Sequence, residues 1–380
     1  MRLGKLLAAA LVVAVLCSAC GGTSQARIER RCDEIFELYA PLYQDAEKTE
    51  PENKWEAPAL SQSGIDDMEN LLMDAGLDVL DTDGEYPACL RTGERFYEFW
   101  DAVGRQENAR QEIITIKASG ELSYRLFSFE DGTPYVYDMN FSRDGERYYE
   151  KMEILDWTLT ERGNFYYRIY PADDGHYADY TLIRLEEPDR ELWDMNTRYI
   201  LAGGYLGTNM FLTDWTEKNF GELSFNDLWE YLYYDTYGEP FWPEGYPFLQ
   251  ENHCYAIPAE EFEEVILPYF NMEREALRRA AGYDEQGDFY PWHQLDTDDH
   301  IFLSYYTIQP EVTACRPNPD GTLTLTVQVL STDLKTDCLF AHEVTVRPLE
   351  NGRFQYVGNR VTYQTAYGLP FCEPRLTWAG

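Results

Sequence analysis

The chain has 380 residues, 68 of them Asp or Glu and 31 Lys or Arg, for a formal charge of −37 at pH 7. A surface that acidic works against nucleic acid, anionic lipid and other polyanions, and favours cations or a basic partner. No G-x-G-x-x-G or Walker loop occurs in the sequence, so a nucleotide cofactor is not indicated.

Arg2 and Lys5 precede an uncharged apolar run from Leu6 to Leu16. That run is about half of the ~20 residues a membrane-spanning helix needs. It reads as the core of an export signal over residues 1–19. The next stretch, Leu16-Cys-Ser-Ala-Cys20-Gly-Gly, resembles the lipobox of bacterial lipoproteins, with Ala19 and Ser18 ahead of the acceptor Cys20. One position departs from that pattern, since Cys17 stands where the family usually has Leu. The resemblance implies a diacylated Cys20, a tether over residues 20–27, and anchoring at the outer face of the cytoplasmic membrane. Two acyl chains suffice for stable anchoring. Release as a soluble exported protein is the alternative. Removing residues 1–19 takes away Arg2 and Lys5 and no acid, so the mature chain is more acidic still.

The mature chain of about 360 residues is long for one core, and two domains are expected. Ile28, Ile35, Leu38 and Leu42 give helical spacing over 28–47. Ser63 is placed to cap a second helix ended by Gly76, and Thr92 a third that carries Phe96, Phe99, Trp100 and Val103. From Gln111 the period becomes two. Strands are expected over 111–118, 121–129, 134–141, 147–159, 164–170 and 178–185, divided by Gly-containing turns. Residues 186–250 are irregular apart from a helix at Phe225–Tyr234 capped by Ser224. Pro258 opens another helix lined by Phe262, Val265 and Ile266, and Asn271 can cap the one that follows. Alternation at Leu323, Leu325, Val327 and Val329 marks a strand, and Asn351-Gly352 joins 339–348 to 353–361 as a hairpin. Helices followed by strands, rather than alternating with them, give an α+β fold. The expected domains are 28–220 and 221–380, each with helices and then an antiparallel meander.

Several phrases are more specific. Tyr255-Ala-Ile-Pro-Ala-Glu-Glu-Phe-Glu-Glu-Val, Ala281-Gly-Tyr-Asp-Glu, Tyr290-Pro-Trp292 and the hairpin from Arg347 to Arg360 resemble a set of lipoproteins from Gram-positive, clostridia-like bacteria. That family is one of unknown function, so the resemblance implies a location and no activity, and it assigns no site residue.

The candidate chemistry is sparse. His293-Gln-Leu-Asp-Thr-Asp-Asp-His300 gathers His293, Asp296, Asp298, Asp299 and His300 within eight residues. Such a set could hold calcium through its carboxylates, but it matches no known zinc or calcium spacing, and a polar loop is the simpler reading. Asp81-Thr-Asp83-Gly84 imitates the middle of an EF-hand loop, yet Val79 and Leu90 occupy its two ends. His342-Glu343 begins like H-E-x-x-H, but residue 346 is Val and the segment alternates as a strand. Six cysteines remain after Cys17 and Cys20, namely Cys32, Cys89, Cys254, Cys315, Cys338 and Cys372, and they permit three disulfides or six thiols. Adjacent His253 and Cys254 would point to opposite faces of a strand, which disfavours a Cys–His pair.

The other stretch of interest is Tyr237-Gly-Glu-Pro-Phe-Trp-Pro-Glu-Gly-Tyr-Pro-Phe248. Its prolines stiffen a loop that sets Tyr237, Phe241, Trp242 and Tyr246 beside Glu239 and Glu244, a composition suited to a glycan or a peptide. The same residues could instead plug a groove. The sequence therefore reads as an envelope binding or interaction module with a glycan, peptide or envelope protein as partner. A glycan or peptidoglycan hydrolase with a carboxylate pair near residues 237–248 is the alternative. Replacing Cys20 with Ser is expected to move the protein from the membrane fraction to the soluble one, as read by detergent phase partitioning.

Overall fold

A computed structural model describes residues 24–49, 59–81, 87–141, 147–170, 180–205, 207–294, 307–370, 372 and 374–376. The chain forms two compact units, one ending at Pro188 and one beginning at Asp189, and the architecture is α+β.

In the first unit, helix α1 (Gln25–Asp45) buries Ile28, Cys32, Ile35 and Tyr39 along one stripe. Helix α2 (Gln62–Asp74) adds Ile65, Met68 and Leu72. Its cap is Ser61, whose extended backbone lets the side chain accept from Gly64 N–H, and Ser63 lies inside the helix. Helix α3 (Glu94–Gly104) buries Phe96, Phe99 and Val103. Thr92, expected as its cap, donates to Asp78 Oδ1 at 2.7 Å instead. Gly93 then takes the cap position, where a Cβ would lie 2.2 Å from the Leu185 carbonyl oxygen.

Strands β1 (Ala109–Ile116), β2 (Leu122–Glu130), β3 (Thr133–Phe141) and β4 (Arg147–Glu153) form an antiparallel meander in chain order. Ile114, Ile116, Tyr124 and Met139 join the core under α1 and α2. Ile113, Phe127 and Val136 turn to the opposite face, where α3 packs. This is the side-chain alternation that the period of two encodes. The segment 147–159 reads as one strand in the sequence and is two in the structure. Ile154 N–H still bonds Pro134 O in the first sheet, whereas Leu155 N–H bonds Arg168 O in the next. Strand β5 (Asp156–Leu159) therefore pairs with β6 (Asn164–Arg168), which pairs with β7 (Thr181–Arg184). One break in direction lets a single run of chain serve two sheets.

The second unit begins with α4 (Arg190–Met195), which runs into a π turn at Asn196–Ile200. Tyr199, Ile200, Met210, Phe211 and Trp215 share one core with Leu325, Val327, Val344 and Tyr356. A divide near residue 220 would cut through that core, and the compact units divide at 188/189 instead. Helix α5 (Phe225–Tyr237) runs three residues past its expected end, to the left-handed Gly238 (φ 73°), whose N–H closes on Tyr234 O. Strand β8 (Cys254–Pro258), helices α6 (Ala259–Ile266) and α7 (Arg274–Ala280), and strand β9 (Phe289–Trp292) follow. The α7 cap is Glu273 rather than Asn271. Strands β10 (Ile308–Pro317), β11 (Leu323–Ser331), β12 (Thr336–Pro348) and β13 (Phe354–Gln364) build the second meander. Asn351 and Gly352 both take positive φ in the β12–β13 turn, as the sequence pattern requires.

His342 sits fully buried on β12, which rules out the helical H-E-x-x-H geometry, while Glu343 pairs outward with Arg360 at 2.7 Å. The Asn359 amide nitrogen donates to Thr213 O, so its Oδ1 accepts from His342 Nδ1 at 2.7 Å. Nε2 is left to accept from the Tyr205 hydroxyl. Phe211 and Phe340 stack on the ring, and burial holds the imidazole down at a pKa of about 4. A depressed imidazole destabilises the folded state as pH falls from the ordinary value of 6.5 towards 4. The loss is about 3 kcal/mol at 1.36 kcal/mol per pKa unit. The wild type minus His342→Gln difference in urea-unfolding free energy is expected to shrink over that window and stay flat above pH 7.

Candidate functional site

Helix α5 carries an aromatic row on one side and two acids on the other. One side carries Trp229, Tyr233 and Tyr237 at steps of four. Tyr233 and Tyr237 lie 4.6 Å apart between ring centroids. The loop that Gly238 starts folds back so that Phe241 rests edge-on against Trp229 (4.5 Å) and Trp292 (5.0 Å). Tyr246 packs on Phe241 and donates to Glu261 at 2.8 Å. After a turn closed by Tyr246 N–H on Pro243 O, Phe248–Leu249 pairs with β8 and fixes the loop to a three-stranded sheet.

The six loop residues singled out from sequence therefore divide. Phe241 and Tyr246 turn inward as a plug. Tyr237 (48% exposed) and Trp242 (64% exposed) stay in water, with Glu239 and Glu244 exposed beside them. Tyr234 is exposed on the same helix. Beneath the plug, the indole N–H groups of Trp229 and Trp292 are buried and find no acceptor among the described residues. A buried donor left unpaired costs about 1–3 kcal/mol.

The other side of α5 carries a buried ion cluster. Arg375 Nε donates to Asp227 Oδ1 at 2.9 Å, and Nη2 reaches Glu230 Oε1 at 2.7 Å. The same guanidinium donates to the carbonyls of Asp227 (2.8 Å) and His293 (2.7 Å). The i, i+3 spacing of Asp227 and Glu230 turns both acids to one helix face. Burial outweighs the arginine, so both carboxyls sit above the ordinary carboxylate range. The cluster joins the C-terminal segment, α5 and the exit of β9.

From the His293–His300 stretch, His293 is half-buried with Nδ1 2.8 Å from Gln294 O. Asp296, Asp298, Asp299 and His300 lie outside the described residues, as does Cys20. Among the described residues, no group of three or more His, Cys, Asp or Glu side chains is disposed to hold a metal ion. Asp81, of the EF-hand-like stretch, is bound by Arg91 at 2.6 Å. Among the described residues, no disulfide joins Cys32, Cys89, Cys254, Cys315, Cys338 or Cys372. Burial pushes Cys32 and Cys372 up to about 12. Cys254 is buried and His253 is exposed at a positive φ.

Sequence reading missed the Asp227–Glu230–Arg375 cluster and the Tyr205–His342–Asn359 chain. The i, i+3 acids on a half-apolar helix were a visible signal, but nothing in the sequence links residue 227 to residue 375.

The chain belongs to DUF6070, a family of unknown function whose model matches residues 25–375. No curated protein and no solved structure matches it significantly.

Replacing Arg375 with Met removes the counter-charge and leaves both acids buried, an outcome that costs about 3–5 kcal/mol for a buried ion pair. The deficit is expected to narrow as pH falls through the raised carboxyl values, because protonation removes the buried charge. Urea denaturation at a series of pH values measures both effects.

Proposed function

We propose that the protein is a lipid-anchored, non-catalytic binding module at the outer face of the cytoplasmic membrane, and that the α5 aromatic loop takes a glycan of the cell envelope. The observation that carries this reading is the division within the loop. Phe241 is locked between Trp229 and Trp292, and this holds Trp242 and Tyr237 exposed on a stiff support. Exposed, preorganised aromatic faces stack on apolar sugar faces with little ordering cost. Glu239 and Glu244 beside them accept from sugar hydroxyls or amides. Membrane attachment rests on the lipobox-like stretch ending at Cys20.

A hydrolase reading has one observation in its favour, the raised pKa of Asp227 and Glu230 on the helix that bears the loop. Against it, Arg375 occupies both acids. Calorimetric titration with muropeptide fragments and β-linked oligosaccharides separates the two. Binding without release of reducing ends is expected. Trp242→Ala should weaken it roughly tenfold, about 1.4 kcal/mol, with no change in melting temperature. Equal affinity in wild type and Trp242→Ala would remove the loop from the reading, and turnover lost in Glu230→Gln would favour the hydrolase.

A further inference from the structure

The outer edge of β13 is half covered. Its inner side pairs with β12 from Phe354 to Gln364. Outside, Trp215 and Thr216 pair with Asn359 and Gly358, Phe270 bridges to Tyr356, and Glu217 N–H bonds Val357 O. Among the described residues, strand pairing on that side stops at Asn359. The next outward amide, that of Val361, donates to a side chain, Asp214 Oδ1, at 2.7 Å.

A cavity of about 850 Å³ opens there, lined by Val361, Thr362, Tyr363 and Gln364 and faced by Asp214 and Glu222. Consecutive side chains on a strand point to opposite faces, so a depression touching four in a row runs along the edge of the strand. A register shift leaves Thr362 as an extra residue, the kind of bulge found beside binding sites. The opposite edge of the sheet, on β10, carries Pro310 and Pro317, which hinder pairing. Residues 360–364 of β13 carry no proline.

We propose that the β13 edge at Val361–Gln364 binds an extended basic peptide as an added strand. The open length is about 13 Å at 3.3 Å per residue, enough for four or five peptide residues. Main-chain pairing supplies the affinity, as in other cases of strand addition. An incoming carbonyl replaces Asp214 on the Val361 amide and frees that carboxylate for a Lys or Arg side chain. Glu222 at the rim, Tyr363 standing 52% exposed, and the charge of −37 favour the same sign of partner. This site is separate from the α5 loop.

The test uses the full mature chain and a capped, fluorescein-labelled Lys-Val-Lys-Val-Lys peptide, read by anisotropy and by hydrogen exchange of residues 360–364. Expected are saturable binding below about 1 mM and slowed exchange at those amides of residues 361–364 that face away from β12. N-methylation of alternate peptide amides should cost at least tenfold in one phase and little in the other. Replacing Lys by Glu in the peptide, or Asp214→Asn in the protein, should each weaken binding several-fold; Asn still accepts from Val361 N–H, so the fold is kept. Equal binding of both N-methylated phases overturns the proposal, as does no binding at about 1 mM. Protection in the free protein of amides in 362–364 that face away from β12 overturns it too, since a segment of this chain or a second copy would then hold the edge. Mass by light scattering tells those two apart.

Discussion

A guanidinium buried without counter-charge is not tolerated, and Arg375 satisfies that constraint by collecting the second unit around itself. Its side chain is wholly out of water, so its donors must all be met inside the protein. Asp227 and Glu230 supply the charge, and the carbonyls of Asp227 and His293 take further N–H groups. The C-terminal segment, α5 and the end of β9 are thereby held in one arrangement. With that side of α5 fixed, its other side becomes a firm wall for Trp229, Tyr233 and the Phe241 plug.

The same economy recurs at three other buried titratable groups. His342 has both ring nitrogens engaged and is held neutral by burial. Glu263 lies between Arg274 and Arg278, each at 2.9 Å, and accepts from the Tyr290 hydroxyl. Asp78 is buried and bonded to Thr92 and Gln111. Titratable groups so fully engaged serve mainly to fix one packing of the chain, the role attested for buried polar networks. Different in kind are the exposed aromatic faces of Tyr237 and Trp242 and, among the described residues, the β13 edge after Asn359, where strand pairing stops.

Much of the local structure was legible in the sequence because it is set by short-range rules. The three first helices follow from apolar spacing, the strands from the period of two, and the β12–β13 turn from Asn351-Gly352. Errors fell where a second partner competes. Thr92 is a good cap by type, but the buried Asp78 takes its hydroxyl. Residues 147–159 alternate without interruption, yet two sheets divide them at Ile154 and Leu155.

For the candidate site, sequence determined the content of the 237–248 loop and the acidity of the chain that carries it. It could not tell plug from platform, because adjacent Phe241 and Trp242 are chemically alike. Only the positions of Trp229 and Trp292, brought together from α5 and β9, decide which ring goes inward. The pairing of Arg375 with Asp227 spans 148 residues, and no periodicity reaches that far. Composition, spacing and turn chemistry are written along the chain. Which buried charge meets which, and which strand edge is left uncovered, depend on contacts that exist only once the chain has closed on itself.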